Sequence, residues 1–446
     1  MNSILLQAGA DLHGLHRLAP ERYPFLLQST AADTALGGFD VLLIPQGDAL
    51  VLEASGDLTG PGADGRQDFL DVLDSCWQSV RTEPGDSVWP FLGGWFLYLG
   101  YELAAQIEPS LNLEADPILP AAFAVRCDAA IVRDHRTDQY HFIAEEGSDF
   151  ALETLLSDIE ATAHLSELST AATLLEVSEE DPQEFLDAVI AAKSYISAGD
   201  IYQSNLSRGW LASSDDIEAN RLYQSLCRAN PGPFAGLIYW NGVSVVSSSP
   251  ERLLRIRGGT ASTRPIAGTR PRSDDVATDR HLLEELINDP KERAEHVMLI
   301  DLERNDLGRI CEAGSVTVDE MMIIESYAHV HHIVSNVQGR IRDDVTPGQA
   351  IRAVFPGGTI TGCPKVRCMQ IISELEHGPR GAYTGSFGYL NRDGSLDLNI
   401  LIRTIVVREN TISFRAGSGI VADSQPEAEL HETRAKAKGL IRALSQ

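Results

Sequence analysis

The sequence predicts a mixed α/β protein, and three observations carry that expectation. Short apolar or alternating runs bounded by turn residues recur along the 446-residue chain, as strands do. Between them lie stretches with apolar residues at helical spacing and capping residues at their ends. The β pattern between two Glu-rich helices is too extensive for a helix bundle around a carboxylate metal centre.

Taken in order, residues 1–165 hold strand-like runs at 41–45, 50–52, 121–125 and 130–132, and amphipathic helices at 69–80 and 150–160. The Gly-aromatic stretch 91–102, FLGGWFLYLGYE, reads as core with close backbone packing at Gly93 and Gly94. The polar run 166–180 is the expected connection to a second region, 181–446. There Asp181 caps a helix that Gly199 ends, and 201–208 alternates like a strand. Residues 237–248 and 253–257 continue the β pattern around a Ser249-Pro250-Glu251 break. TRPIAGTRPR, 263–272, reads as a Pro/Gly loop with three arginines. Further β segments are expected at 315–318, 327–339, 383–389, 400–407 and 411–416, with a helix from about 365 to 376. AGSGI, 416–420, reads as a glycine turn before the last helix. A prior of about 150 residues per domain suggests two or three units.

The charge balance is 36 basic against 64 acidic residues, net −28. This argues against nucleic acid or an anionic membrane as partner, since both select basic patches. An anionic substrate would need local positive charge, or a metal, focused in a cleft. The longest apolar run, 91–101, is far short of a membrane span, and no basic segment opens the chain as in a signal peptide. Cys76, Cys127, Cys227, Cys311, Cys363 and Cys368 show no C-x-x-C spacing and read as reduced thiols of a cytoplasmic protein.

Two helices carry the most chemistry. In 291–306, KERAEHVMLIDLERND, Asp289 caps and Pro290 suits the first position. Ala294, Val297, Met298 and Leu302 mark an expected buried stripe, and Glu292 and Glu295 project together at i, i+3. In 424–444, Glu429 and Glu432 repeat the spacing. Ser424 and Glu427 suggest a capping box, and Leu430, Ala437, Leu440, Ile441 and Leu444 mark the inner side. Two such helices face to face would frame one divalent ion, and hard oxygen ligands suit Mg2+. Solvated Glu pairs are the plain alternative in so acidic a chain.

Other features are weaker singly. FPGGTITGCPK offers backbone N–H groups and a helix start to an anion, although it lacks P-loop spacing. Of the histidines in HVHH, His329 and His331 share one strand face and His332 the other, which favours one catalytic or orienting imidazole over a zinc site. Arg403 lies in an apolar strand, LNILIRT, where it needs a carboxylate, from substrate or from the chain itself. A semi-buried Glu251 after Pro250 could have a raised pKa and act as general acid.

Together the motifs SPERL, PIAGTRPR, KERAEHVMLIDLERNDLGR, VHHIVS, FPGGTITGCPK, GAYTGSFGYL, LDLNILIRT and AGSGIVADSQPEAELHET resemble the chorismate-utilising enzymes, in family order over 181–446. RYPFLLQS and FLGGWFLYLGYEL extend the resemblance into 1–165. It implies two large, mainly antiparallel β-sheets in a sandwich flanked by helices, the anthranilate synthase component I-like fold with a central cleft. It implies that Glu295 and Glu432 ligate Mg2+, supported by Glu292 and Glu429, and that the ion holds the ring carboxylate of chorismate. Tyr383, Arg403, Gly417 and Gly419 match positions that hold the enolpyruvyl carboxylate. Thr359, Gly268 and Thr269 match further substrate contacts, and Lys365 of TGCPK is taken with them. Glu251 matches the general acid for the C4 hydroxyl, and His332 the active-site histidine.

Gln203 stands where water-using relatives carry a lysine base. An amide cannot deprotonate water, so the resemblance narrows to the amination branches. YQSN, VHHIVS and TGCPK look more like aminodeoxychorismate synthase component I, which makes 4-amino-4-deoxychorismate for folate synthesis. Ala267 is the anthranilate-synthase-like choice in the PIAGT loop, where some aminodeoxychorismate synthases carry a nucleophilic lysine. The main expectation is thus aminodeoxychorismate synthase, and the alternative is anthranilate synthase component I. Ammonia is expected from a separate glutamine amidotransferase subunit. Leu26–Ser29, LLQS, resembles the region that holds tryptophan in some relatives, with core packing as the plain alternative.

Overall fold

The computed structural model describes residues 2–445 apart from 8, 31–37, 86, 167, 169–175, 215–216 and 328–329. His329 and most of the expected 166–180 connection lie outside the described residues. The first eight strands are β1 Asn2–Leu6, β2 Phe25–Gln28, β3 Phe39–Leu52, β4 Leu58–Thr59, β5 Gly94–Leu99, β6 Ala122–Asp134, β7 Gln139–Ala144 and β8 Val177–Glu179. They are followed by β9 Gln203–Ser213, β10 Phe234–Trp240, β11 Val243–Ser249, β12 Arg252–Arg257, β13 Thr260–Arg264, β14 Ile266–Pro271 and β15 Thr317–Ser326. The last six are β16 Val330–Arg340, β17 Gly362–Cys363, β18 Ser386–Asn391, β19 Leu396–Asn399, β20 Thr404–Arg408 and β21 Thr411–Ile420.

Every pairing among these strands is antiparallel. One sheet runs β8-β9-β21-β20-β11-β10-β2-β3-β6-β7-β1. The other runs β6-β5-β18-β19-β12-β13-β16, with β14 and β15 also on β16. The long strands β3 and β6 belong to both. Ala122–Cys127 of β6 pairs with β5, while Ala129–Asp134 pairs with β7. The register shifts in β3 between Ile44, Pro45 and Ala49 mark the bulge at that passage. The expected pairs of short strands, 41–45 with 50–52 and 121–125 with 130–132, are therefore halves of two continuous ones.

Side chains on alternate residues serve opposite faces, which is why the inner strands β5 and β10 are apolar at nearly every position. Phe96 and Tyr98 of β5 face the other sheet, and Trp95, Leu97 and Leu99 face outward into a second core. Between the sheets lie Phe25, Val41, Phe123, Val245 and Phe387. Ring stacks tie the two layers there, with centroids 3.9 Å apart for Phe25–Phe96 and 4.0 Å for Phe123–Trp240. The helices Phe69–Val80 and Pro347–Val354 cover the second sheet; Ala219–Ala229 and Pro426–Leu444 cover the first. Strands of residues 1–165 pair directly with later ones, β2 with β10 and β5 with β18.

Several sequence expectations are corrected. The 237–248 run folds back at Asn241-Gly242, both left-handed (φ 47° and 83°), the turn that suits a two-residue hairpin. TRPIAGTRPR is no loop: it spans the end of β13 and all of β14, and Gly268, at φ 71°, marks the register shift. The glycines of AGSGI are the last half of β21, because β9 pairs with it without interruption from Thr411 to Ile420. Tyr383 precedes β18 in a turn, and Arg403 lies in the break between β19 and β20 at φ 53°.

The first carboxylate helix spans Pro290–Gly308, and Asp289 accepts the N–H groups of Lys291 and Glu292 as read. Its buried side differs from the expected stripe. Ala294 and Val297 are exposed and Met298 is intermediate, whereas His296, Leu299, Ile300, Leu302, Glu303, Asp306 and Leu307 are buried. Three polar residues on the inner face hid it from a search for apolar periodicity. The last helix, Pro426–Leu444, has Gln425 rather than Ser424 as N-cap and forms no capping box. Ser424 Oγ instead accepts the Val421 N–H at 3.0 Å.

Candidate active site

The polar ends of β9, β14, β16 and β21 meet the two carboxylate helices and the turn Gly358–Ile360. Gln203, at the head of β9, donates from Nε2 to Glu295 Oε1 at 2.9 Å. Gly419, paired with Asn205 of β9, leaves the space this contact needs: a Cβ there would lie 2.4 Å from Gln203 Nε2 and 3.5 Å from Glu295 Oε1. Gly417 makes room for Tyr383 in the same way, since its Cβ would come within 2.8 Å of both the Tyr383 hydroxyl and Asn205 Oδ1. Gly268 lets β14 approach the helix: a Cβ there would meet Leu286 Cδ1 at 2.9 Å and Glu292 Oε2 at 3.1 Å.

Glu251 sits between β11 and β12 and is only 5 % exposed. Burial pushes its carboxyl up to about 7, with the Thr359 hydroxyl, Lys436 and Arg403 among the groups opposing the shift. His332, opposite Thr269 in the β14–β16 pair, shares a 2.9 Å hydrogen bond between its Nδ1 and Thr269 Oγ1. Burial first, then the charge of Arg403, brings His332 down to about 3, so the ring is neutral. Its other nitrogen, Nε2, has no partner. Glu251 Oε1, Thr359 Oγ1, Gln203 Oε1 and Asn205 Oδ1 are likewise buried without one. Buried polar atoms are seldom left unsatisfied, and this concentration suits a polar ligand.

Arg403 donates to Asn230 Oδ1 at 3.3 Å and joins no ion pair among the described residues. The internal salt bridge weighed from sequence does not form. Burial lowers the pKa of Arg403, while Tyr327 and Glu251 raise it. A desolvated guanidinium without a carboxylate is matched to an anionic ligand.

Sequence reasoning missed Lys436. It lies one turn after Glu432, to which Nζ is 2.8 Å distant, and it also donates to Gly417 O at 3.0 Å. Its charge acts on Glu251, Glu295 and His332 together. The i, i+4 spacing from Glu432 was the available signal. Lys436 and Arg403 supply the local positive charge that an acidic protein needs around an anion.

Lys365, expected among the substrate contacts, is engaged inside the chain. Its ammonium pairs with the buried Asp306 and donates to Val354 O at 2.9 Å, beneath the Gly358–Ile360 turn. Glu303 lies on the same buried side, where burial and then Asp306 push it up to about 8.

The four metal-candidate carboxylates suit Mg2+ in chemistry, being hard oxygen donors. Glu429 is buried, and burial raises Glu295, with Glu292 adding to the rise. A bound cation would relieve Glu295. The cluster is not preassembled: among the described residues no group of three or more such side chains is poised to hold an ion. Gln203 holds Glu295, Arg270 Nη1 lies 3.2 Å from Glu292, and Lys436 holds Glu432. A bound cation would exchange with these N–H donors.

A separate cavity of about 300 Å3 is lined by Leu27, Gln28, Ser29, Phe234, Arg252 and Asp397. Thus LLQS borders a pocket as well as core. No helix among the described residues is long and apolar enough to cross a membrane.

Comparison with known proteins bears on the family and the fold. A family model described as chorismate binding enzyme matches residues 25–442. Anthranilate synthase component 1 of Synechocystis is 39 % identical over 95 % of this chain and 91 % of its own length. An anthranilate synthase component I-like protein of the same organism is 43 % identical over 84 % of this chain and 78 % of its own length. Among solved structures, anthranilate synthase component I from Streptococcus pneumoniae superposes with a TM-score of 0.80 at 30 % identity, covering 92 % of this chain and 93 % of its own.

Proposed function

The chain belongs to the chorismate binding enzymes, and from that premise we propose that it is an anthranilate synthase component I, converting chorismate and ammonia to anthranilate, pyruvate and water. This revises the expectation of 4-amino-4-deoxychorismate, because the similar proteins are anthranilate synthases over most of their length. One observation carries the choice of an external nucleophile. Position 267 in β14 is a buried alanine, and Gln203 is an amide spent on Glu295, so neither position offers a nucleophile or a base for water. Ammonia needs neither.

In this reading Arg403, Tyr383 and the Gly417–Gly419 edge of β21 receive the enolpyruvyl carboxylate, with Lys436 alongside. Glu251 protonates the departing C4 hydroxyl, which leaves as water while ammonia bonds to the ring. Neutral His332, oriented through Nδ1 by Thr269, presents Nε2 to the substrate. Glu295 and Glu432, backed by Glu292 and Glu429, would hold Mg2+, which supplies countercharge for the ring carboxylate. A separate glutamine amidotransferase subunit would deliver the ammonia. Tryptophan is the proposed occupant of the cavity at Leu27–Ser29, whose apolar walls suit an indole; Arg252 and Asp397, which also line it, pair with each other.

Product analysis tests the reading: the purified chain is given chorismate, Mg2+ and ammonium at mildly alkaline pH. Fluorescent anthranilate with equimolar pyruvate is expected. A product that becomes 4-aminobenzoate only when a lyase is added would return the assignment to aminodeoxychorismate synthase, the reading that VHHIVS and TGCPK favour. Glutamine use by the chain alone, as good as its ammonium use, would remove the partner. No thermal shift with tryptophan would remove the regulatory ligand.

A further inference from the structure

Behind Tyr383 lies a buried ion pair that the proposed chemistry leaves unused. Arg380 is 5 % exposed, and all five of its guanidinium N–H groups have acceptors. Nε reaches Glu376 Oε2 at 2.9 Å and Nη2 reaches Glu376 Oε1 at 2.5 Å. Nη1 donates to Ile360 O at 3.1 Å and to Thr384 Oγ1 at 3.3 Å, and Nη2 also donates to Asn205 O at 2.7 Å. The guanidinium lies over two rings, 4.9 Å from the centroid of Tyr101 and 5.6 Å from that of Tyr383. Its backbone N–H, with that of Gly381, is fixed by Glu102 Oε1.

These contacts converge on the wall assigned to the substrate carboxylate. Ile360 follows Thr359, Asn205 faces Gly419, and Tyr383 reaches Gly417 with its hydroxyl. Thr384, next to Tyr383, is held left-handed at φ 64°, a conformation that its surroundings must impose. A well-packed apolar side chain would fill such a buried place with less desolvation than an ion pair. A five-donor planar fork does what an apolar group cannot: it fixes three separate segments at set distances from one another.

We propose that Arg380 is a positioning residue that acts through Tyr383, setting the tyrosine hydroxyl where the substrate carboxylate docks. This rests on the reading that Tyr383 faces that carboxylate. Lysine keeps the charge at 380 but loses the planar fork.

The test is a double-mutant cycle on the full chain, with chorismate affinity measured by calorimetric titration in Mg2+ and thermal unfolding followed in parallel. Tyr383→Phe and Arg380→Lys should each weaken chorismate about 10-fold or more, and the double variant should be no weaker than the worse single one. Mg2+ affinity should stay within twofold. If Tyr383→Phe weakens binding while Arg380→Lys leaves it within twofold, or if the two losses multiply, the inference is overturned. If Tyr383→Phe itself has no effect, the site reading falls and the inference with it. Should Arg380→Lys not fold, Glu376→Gln, which frees one side of the fork without changing volume, takes its place in the same cycle and is judged by the same outcomes.

Discussion

Glu251→Gln separates proton donation from shape. The glutamine is isosteric with the glutamate, so the fold should tolerate the change. As the proposed acid, Glu251 must be protonated to act. Burial holds its pKa at about 7. It is then about nine-tenths protonated at pH 6 and about one-tenth at pH 8, a roughly tenfold fall in activity across that window. Glutamine has no proton to give, so kcat should drop roughly 10²–10⁴-fold, or about 3–5 kcal/mol of barrier, at every pH. The assay is anthranilate fluorescence under saturating Mg2+, with the concentration of unprotonated ammonia held constant so that the pH step is the enzyme's own. Chorismate affinity should change little. A glutamine variant that keeps more than a tenth of the wild-type kcat, or that still shows the fall between pH 6 and pH 8, would refute the acid assignment.

Four further outcomes are expected. Glu295→Ala should abolish Mg2+-dependent turnover while the chain stays folded; activity surviving the change would reject the metal assignment. Lys436→Met should raise KM for chorismate about 10–100-fold, the worth of one charged hydrogen bond. It should also move the alkaline limb of the pH profile upward, because the Lys436 charge lowers Glu251; a limb that stays put would place Lys436 outside the site. Gly417→Ala puts a Cβ 2.6 Å from Leu206 O and 2.8 Å from the Tyr383 hydroxyl, so KM should rise about 10-fold, the loss of roughly one hydrogen bond, with an unchanged KM counting against a substrate there. Glu303 is raised to about 8 by burial and then by Asp306, so the folded state binds a proton that the unfolded chain has already released. Its stabilising share is present at low pH and is lost as pH rises through about 8. Melting temperature should fall from pH 6 to pH 9 in the wild type and fall less in Glu303→Gln; equal slopes would exclude Glu303 as the source.

The sequence by itself determined the parts that depend on neighbours in the chain. Asp181 and Gly199 bracket their helix and Asp289 caps the first carboxylate helix, since capping is a contact between residues two or three apart. The helix Phe69–Val80 matches its apolar spacing. The family was also legible, because the motifs occur in order, and so were Glu251 and the Glu295 and Glu432 pairs as candidates. Only tertiary structure decided the rest. Whether AGSGI turns or extends depends on β9, more than 200 residues away in the chain, whose backbone pairs with it residue by residue. The inner face of the first carboxylate helix is set by partners for polar groups: His296 by Ser335, Asp306 by Lys365. No apolar period records those partners. Lys365 is paired with the same Asp306, and Lys436 was brought beside Gly417 by the packing of the last helix along β21. Short motifs favoured one amination product and the similar proteins favour the other, because regiochemistry follows from where ammonia meets the ring. That is a property of the assembled cavity and of no single segment.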